Sequence, residues 1–190
     1  MCRLKLEAKI EKNPAFKVAV GSFLIVLVFL STILRLDIYL NGSTPMLSFG
    51  NVIALAIGLL FSPTFSALTS GLGFSLFDIF FPQYIFSLPF TFLSKFCMVF
   101  VCSLISKKKF KFKNKNLKDY LAIFIAFLVF SVLRTFKVFI FNLIILKLEF
   151  LPNLILVSEN LFFCLINLII ALVLVVPLNK IIKKALNKIS

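Results

Sequence analysis

Histidine and tryptophan are absent from the 190 residues, and acidic side chains number only 7 against 21 basic ones. Without histidine there is no HExxH helix and no imidazole to hold zinc, which excludes membrane metalloprotease chemistry. Asp37, Asp78 and Asp119 are isolated from one another, so the carboxylate cluster that lipid phosphotransferases need for magnesium is missing. The four cysteines, Cys2, Cys97, Cys102 and Cys164, form no CxxC pair. Three of them lie in apolar stretches, where a free cysteine behaves as a small hydrophobe. Serine chemistry would have to draw its base from lysine. There is no GxxxxGK[ST] run and hence no P-loop. Carboxylates are also missing from the middle of the apolar stretches, where proton pumps and cation channels place them. These absences argue against an enzyme, a metal site, a cofactor of the chain's own and an ion channel.

What the chain has in excess is apolar side chain: 61% hydrophobic residues, 26 phenylalanines and a mean hydropathy of +1.10. A soluble domain of this size could not hide that much, so the chain reads as an integral membrane protein. A helix needs about 20 mostly apolar residues to cross the hydrocarbon core. Every backbone group in lipid must be bonded internally, and the period-two alternation of a barrel is absent, so the expected fold is an all-α, polytopic bundle. The whole of residues 1–190 is expected to form one integral-membrane domain.

The basic residues fix its orientation. Sixteen of the 21 fall in three segments, a lead (residues 1–13, with Lys17 just beyond), a midchain loop (residues 106–118) and a tail (residues 177–190). Charge confined in this way follows the positive-inside rule and does not suggest a nucleic-acid surface; contacts with anionic lipid headgroups come with it. The first apolar block lacks an A-x-A cleavage pattern and reads as a retained span. Spans are expected at about 14–34, 49–61, 64–77, 88–105, 121–146 and 154–176, with outer loops at 36–48, 78–87 and 147–153. The second and third are short, which fits helices that are tilted or buried against neighbours. Ser62, Ser66 and Ser70, with Ala67 and Gly71, recur every four residues, a spacing that lets helices approach closely in lipid. Pro177 is expected to end the sixth span before a short amphipathic tail on the inner surface. Six transmembrane helices with both termini cytoplasmic satisfy the charge rule throughout.

Against that background Lys95, Arg134 and Lys137 stand out, because they lie inside apolar spans with no acidic neighbour in sequence. A cation at a helix centre costs roughly 2.5–3.5 kcal/mol on insertion scales, so each is a candidate functional residue. Arg134 and Lys137 are three apart and share a helix face. Polar residues gather toward the same outer half: Asn142 in span five, Glu159, Asn160 and Asn167 in span six, and Ser75 and Asp78 at the end of span three. With Phe74, Phe77, Phe90 and Phe92 nearby, this is the composition of a small-molecule pocket, apolar walls with a few placed polar groups. In the competing reading, Asp78, Glu149 or Glu159 reaches inward and pairs the cations for structure alone.

Several short segments resemble a known family. Ala15-Phe16-Lys17-Val18-Ala19 is an AxxxA at the start of span one, and Leu47-Ser48-Phe49-Gly50-Asn51 closes the first outer loop. Leu59-Leu60-Phe61-Ser62-Pro63-Thr64-Phe65-Ser66-Ala67-Leu68 is similar to a GxxxGPxxGAL pattern, followed by Gly71-Leu72-Gly73-Phe74-Ser75-Leu76-Phe77-Asp78 and by Pro89-Phe90-Thr91-Phe92-Leu93-Ser94-Lys95. Together they resemble the substrate-binding S components of energy-coupling factor (ECF) transporters, small six-span vitamin-uptake subunits of bacterial cell membranes. Serines stand at Ser62 and Ser66 where the family commonly has glycine, and without tryptophan any ring stacking falls to phenylalanine or to Tyr39 and Tyr84. The resemblance implies a vitamin or related micronutrient bound at the outer face under a lid. It also implies delivery by toppling against a transmembrane coupling subunit, with ATP used by two partner ATPases. Substrate contacts would come from Lys95, Arg134, Lys137, Asn142, Glu159 and Asn160, the lid from Tyr39, Asn41 and Ser48, and the coupling contact from Ala15 and Ala19. The residues fit flavin, pyridoxine, pyrimidine, folate and niacin classes alike. The alternative is a structural or chaperone-like membrane protein that grips a partner helix and binds no solute.

Overall fold

A computed structural model describes residues 13–37, 46–107, 115–144, 147 and 149–189. Among the described residues, six α-helices carry the fold: α1 Pro14–Ile33, α2 Gly50–Leu60, α3 Pro63–Phe80, α4 Leu88–Lys107, α5 Lys115–Ile144 and α6 Phe150–Ile189. Two three-residue strands, β1 Arg35–Asp37 and β2 Met46–Ser48, pair antiparallel between α1 and α2, with Leu36 opposite Leu47. A 3-10 helix, Pro82–Ser87, joins α3 to α4.

Among the described residues, four helical segments are long and apolar enough to cross a membrane: Pro14–Ile33, Tyr84–Lys107, Asn116–Leu143 and Phe150–Ala185. Their outer faces stay apolar, with Phe23 67%, Val132 68% and Ile169 61% exposed. Such a surface suits lipid, where an apolar side chain facing outward carries no penalty.

The short second element is explained by its place in the bundle. With 11 residues at 1.5 Å per residue, α2 rises only about 16 Å, half of a hydrocarbon core. It is buried along nearly its whole length, Ile53 alone of the 11 being partly exposed, and packs on α1, α3, α4 and α6. Its residues Ala54, Leu55 and Leu59 are fully enclosed with Val28 of α1, Met98 and Val99 of α4, Phe127 of α5 and Val175 of α6. A helix surrounded by protein on all sides need not reach both headgroup layers.

The small residues of α3 are packing positions. Ser66 and Ser70 have no exposed surface, and the Ser66 hydroxyl donates to the Ser62 carbonyl at 2.8 Å. Gly73 faces α1 so closely that a Cβ there would lie 2.7 Å from the Val28 Cβ and 2.9 Å from the Ile25 carbonyl oxygen. Only glycine lets the two backbones approach to this distance.

The expected element boundaries need four corrections, the simplest being that α6 begins at Phe150, inside the outer turn expected at 147–153. Asp78 belongs to α3 and not to a loop, because the helix continues to Phe80 and is closed by the Phe81 N–H on the Phe77 carbonyl and by stacking of the two rings at 4.4 Å. The fifth helix begins at Lys115, six residues before the apolar stretch starts. Pro177 does not end α6. It forfeits one backbone hydrogen bond inside the helix, and past it the tail is held by Lys183, whose ammonium is 3.8 Å from Asp119 on α5. Asp119 also accepts from the Ser106 hydroxyl of α4, so three helices are tied at this end of the bundle.

Candidate functional site

At the opposite end, where α1, α3 and α5 finish and α2, α4 and α6 begin, the bundle encloses a cavity of about 290 Å³. Helical periodicity places its walls. Ser87, the last residue of the 3-10 helix, and Thr91, Ser94 and Lys95 at the start of α4 follow the i, i+4, i+7, i+8 spacing, and Phe130, Arg134, Lys137 and Val138 repeat it on α5, with Asn142 one turn on. Each set therefore forms one stripe. Phe74, Phe77 and Asp78 come from α3, Asn160 from α6, Asn51 from α2, and Thr32, Arg35, Ser48 and Tyr84 complete the rim.

Five basic residues lie outside the lead, midchain loop and tail, and four of them, Arg35, Lys95, Arg134 and Lys137, line this cavity. Asp78 is the one acidic residue on the wall. Four basic side chains against one acidic leave a formal excess of three positive charges. Asp78 lies within electrostatic reach of Lys137, Lys95 and Arg35. Among the described residues, however, no carboxylate comes within the 4.0 Å of an ion pair to Lys95, Arg134 or Lys137. Asp78 thus offsets part of the wall's positive charge without a close ion pair.

Each cation has its own surroundings. The buried Lys95 ammonium donates to Asn51 Oδ1 at 2.5 Å and sits over the faces of Phe130 and Phe74, 3.9 and 4.4 Å from the ring centres. Ring faces and an amide oxygen thus replace its lost water. Arg35 reaches from β1 to lie over Phe77 at 4.5 Å and Tyr84 at 4.9 Å, and donates to the Tyr84 hydroxyl at 3.3 Å. Arg134 and Lys137, both partly buried, donate no hydrogen bond to a described residue.

Two buried acceptors on the wall, Asp78 Oδ2 and Asn160 Oδ1, also have no hydrogen-bond partner among the described residues. A buried oxygen in that state is costly to leave unmatched. Donors and acceptors are thus both presented to the space.

The structure distributes the sequence-derived candidates as follows. Lys95, Arg134, Lys137, Asn142, Asn160 and Ser48 all line the cavity. Glu159 lies off the wall, since adjacent residues on a helix point about 100° apart and Asn160 takes the inward position. The Asn142 amide is already engaged, donating to Asn153 Oδ1 at 3.0 Å and pinning α5 to α6. Asn167 accepts from the Ser48 N–H at 3.2 Å and ties β2 to α6. Tyr39 and Asn41 lie outside the described residues. Ala15 and Ala19 are exposed at the far end of α1 and do not pack into the bundle, whereas Phe16 and Val20 do. Arg35, Asn51, Thr91 and Ser94 were missed as wall residues. The Ser87-Thr91-Ser94-Lys95 stripe was readable from spacing, while Arg35 and Asn51 reach the cavity only through the folding of the β ribbon and α2.

A family model described as ECF-type riboflavin transporter, S component, matches residues 12–184. No curated protein and no solved structure matches the chain. With all but the two ends of the sequence inside that match, the chain belongs to the S-component family of ECF-type riboflavin transporters, multi-pass membrane proteins that serve vitamin uptake.

Proposed function

We propose that the chain is the substrate-specific subunit of an ECF importer and captures a flavin-class vitamin at the outer face of the membrane. The observation that carries this reading is the cavity, because it gathers four intramembrane or rim cations that lipid alone would not tolerate. The riboflavin in the family's description supplies the substrate class. Phe74, Phe77, Tyr84 and Phe130 offer apolar ring surface to a planar heterocycle, and Asp78 Oδ2 and Asn160 Oδ1 await ring N–H or side-chain hydroxyl donors. Lys95, Arg134, Lys137 and Asn160 are the proposed substrate contacts, with Asn142 holding the wall they stand on.

The positive-inside rule assigns the end carrying Lys107, Lys118, Lys180, Lys183 and Lys184 to the cytoplasm. The cavity then faces outward, six passes bring both termini inside, and the β ribbon at its rim is the proposed lid element. Ala15 and Ala19 lie at the cytoplasmic end of α1, exposed and small, where a coupling subunit's helix fits. Delivery proceeds by toppling against that subunit, powered by ATP on two partner ATPases. The test is to purify the chain in mild detergent and identify by mass spectrometry the small molecule that travels with it. A flavin is the expected result, and another compound class would reassign the substrate.

A further inference from the structure

The turn between α3 and α4 is built inside out. Its 3-10 helix, Pro82–Ser87, has about three residues per turn, so Tyr84 and Ser87 lie one above the other. Both line the cavity, and the Ser87 hydroxyl donates to the Tyr84 carbonyl at 2.9 Å. The apolar Ile85 and Phe86 between them are turned away from the protein, Phe86 being 84% exposed. A turn standing in water does the reverse, presenting its polar side chains outward. No charged residue occurs anywhere in residues 79–94. The exposed apolar surface also continues past the turn, through Ile79 and Phe80 at the end of α3 and Phe90 and Leu93 at the start of α4. The Phe80 ring meets Phe29 of α1 at 5.4 Å, beside the exposed Leu30 and Ile33. The turn is therefore continuous with the apolar outer faces of the long helices.

We infer that this turn is a lipid-binding surface, its Ile85–Phe86 edge seated among the acyl chains of the leaflet at the cavity end, so that the rim of the cavity lies at headgroup level on this side. The occupant is lipid because the patch carries no charge and extends the belt that already faces the bilayer. Its height agrees. From Leu88 to Lys107, α4 has 20 residues and rises about 30 Å, the thickness of the hydrocarbon core. With Lys107 at the cytoplasmic boundary, Leu88 reaches the opposite one, and the 3-10 helix before it lies in the interface. Tyr84 suits that level, since a ring with a hydroxyl is favoured where lipid meets water. Arg35 of β1 rests on the same ring, so the ribbon meets the membrane-seated side of the mouth there. The inference does not depend on which vitamin the cavity takes.

The experiment uses the absence of tryptophan from the chain. Phe86→Trp introduces a single indole at a position too exposed to disturb the packing. The full chain carrying it is reconstituted in phosphatidylcholine vesicles, with and without bromine on the acyl chains near their headgroup end. Val132→Trp, on the exposed apolar face of α5, gives the lipid limit, and free tryptophan in buffer gives the water limit. The emission of Phe86→Trp is expected to be blue-shifted, quenched by brominated lipid at least as strongly as that of Val132→Trp, and protected from acrylamide in the aqueous phase. Acrylamide quenching close to that of free tryptophan, with no effect of bromine, overturns the inference by placing the turn in water. Protection from both quenchers also overturns it, because another protein surface then covers the face. Ile85→Trp reads the same edge should Phe86→Trp fail to fold, and the same outcomes decide.

Discussion

Lys95 illustrates what a single charged side chain requires inside an apolar bundle. The residue is 8% exposed, and Asn51 Oδ1 is the one hydrogen-bond acceptor of its ammonium among the described residues. Removing that acceptor leaves a buried donor with ring faces alone, which costs about 1–3 kcal/mol. Asn51→Ala is therefore expected to lower the melting temperature of the purified protein. In a Lys95→Met background the same substitution should cost much less, because the two side chains act as one unit. Equal losses in the two backgrounds would show that Asn51 stabilises the fold without reference to Lys95. Sequence alone marked Lys95 as anomalous, because a charge in an apolar run is visible in one dimension. It could not supply Asn51, which is 44 residues away in the chain.

Among the elements, α2 and α3 bear the tightest packing. The Gly73 contact brings α3 against the Ile25 carbonyl and Val28 of α1, and neither backbone can yield without moving the helix. Gly73→Val is expected to destabilise the bundle by about 1–3 kcal/mol, as overpacking does, measured as a lower midpoint in thermal aggregation of the detergent-solubilised protein. An unchanged midpoint would mean that α1 and α3 are free to separate. The small-residue spacing of α3 and the unusual shortness of α2 were both legible, since each follows from composition along a single helix. The extension of α3 through Asp78 and of α6 through Pro177 was not. The first goes with the i,i+4 stack of Phe77 on Phe81 at the helix end, which the sequence reading did not weigh, and the second with a contact between helices, the Asp119–Lys183 pair. The same limit explains Glu159 and Asn160: sequence placed them together at the mouth of the site, and one helical step decides which of them faces inward.

For the whole molecule, the two ends of the bundle divide the work. One end carries the cavity, while the other carries the basic residues, the Ser106–Asp119–Lys183 link and the exposed Ala15 and Ala19. Substitution of both alanines by leucine is expected to abolish co-purification with the coupling subunit and ATPases while leaving flavin affinity unchanged, because the two regions share no residue. Loss of flavin binding in that variant would place α1's first turns in the binding unit instead. The central proposal, that the cavity binds a flavin through its intramembrane cations, is tested most directly by the molecule retained on purification. The unaltered chain is expected to carry near-stoichiometric flavin by mass spectrometry, and Arg134→Ala to lose it while yielding as much folded protein with a similar melting temperature. Flavin retained equally by the variant, or no flavin in either, would contradict it.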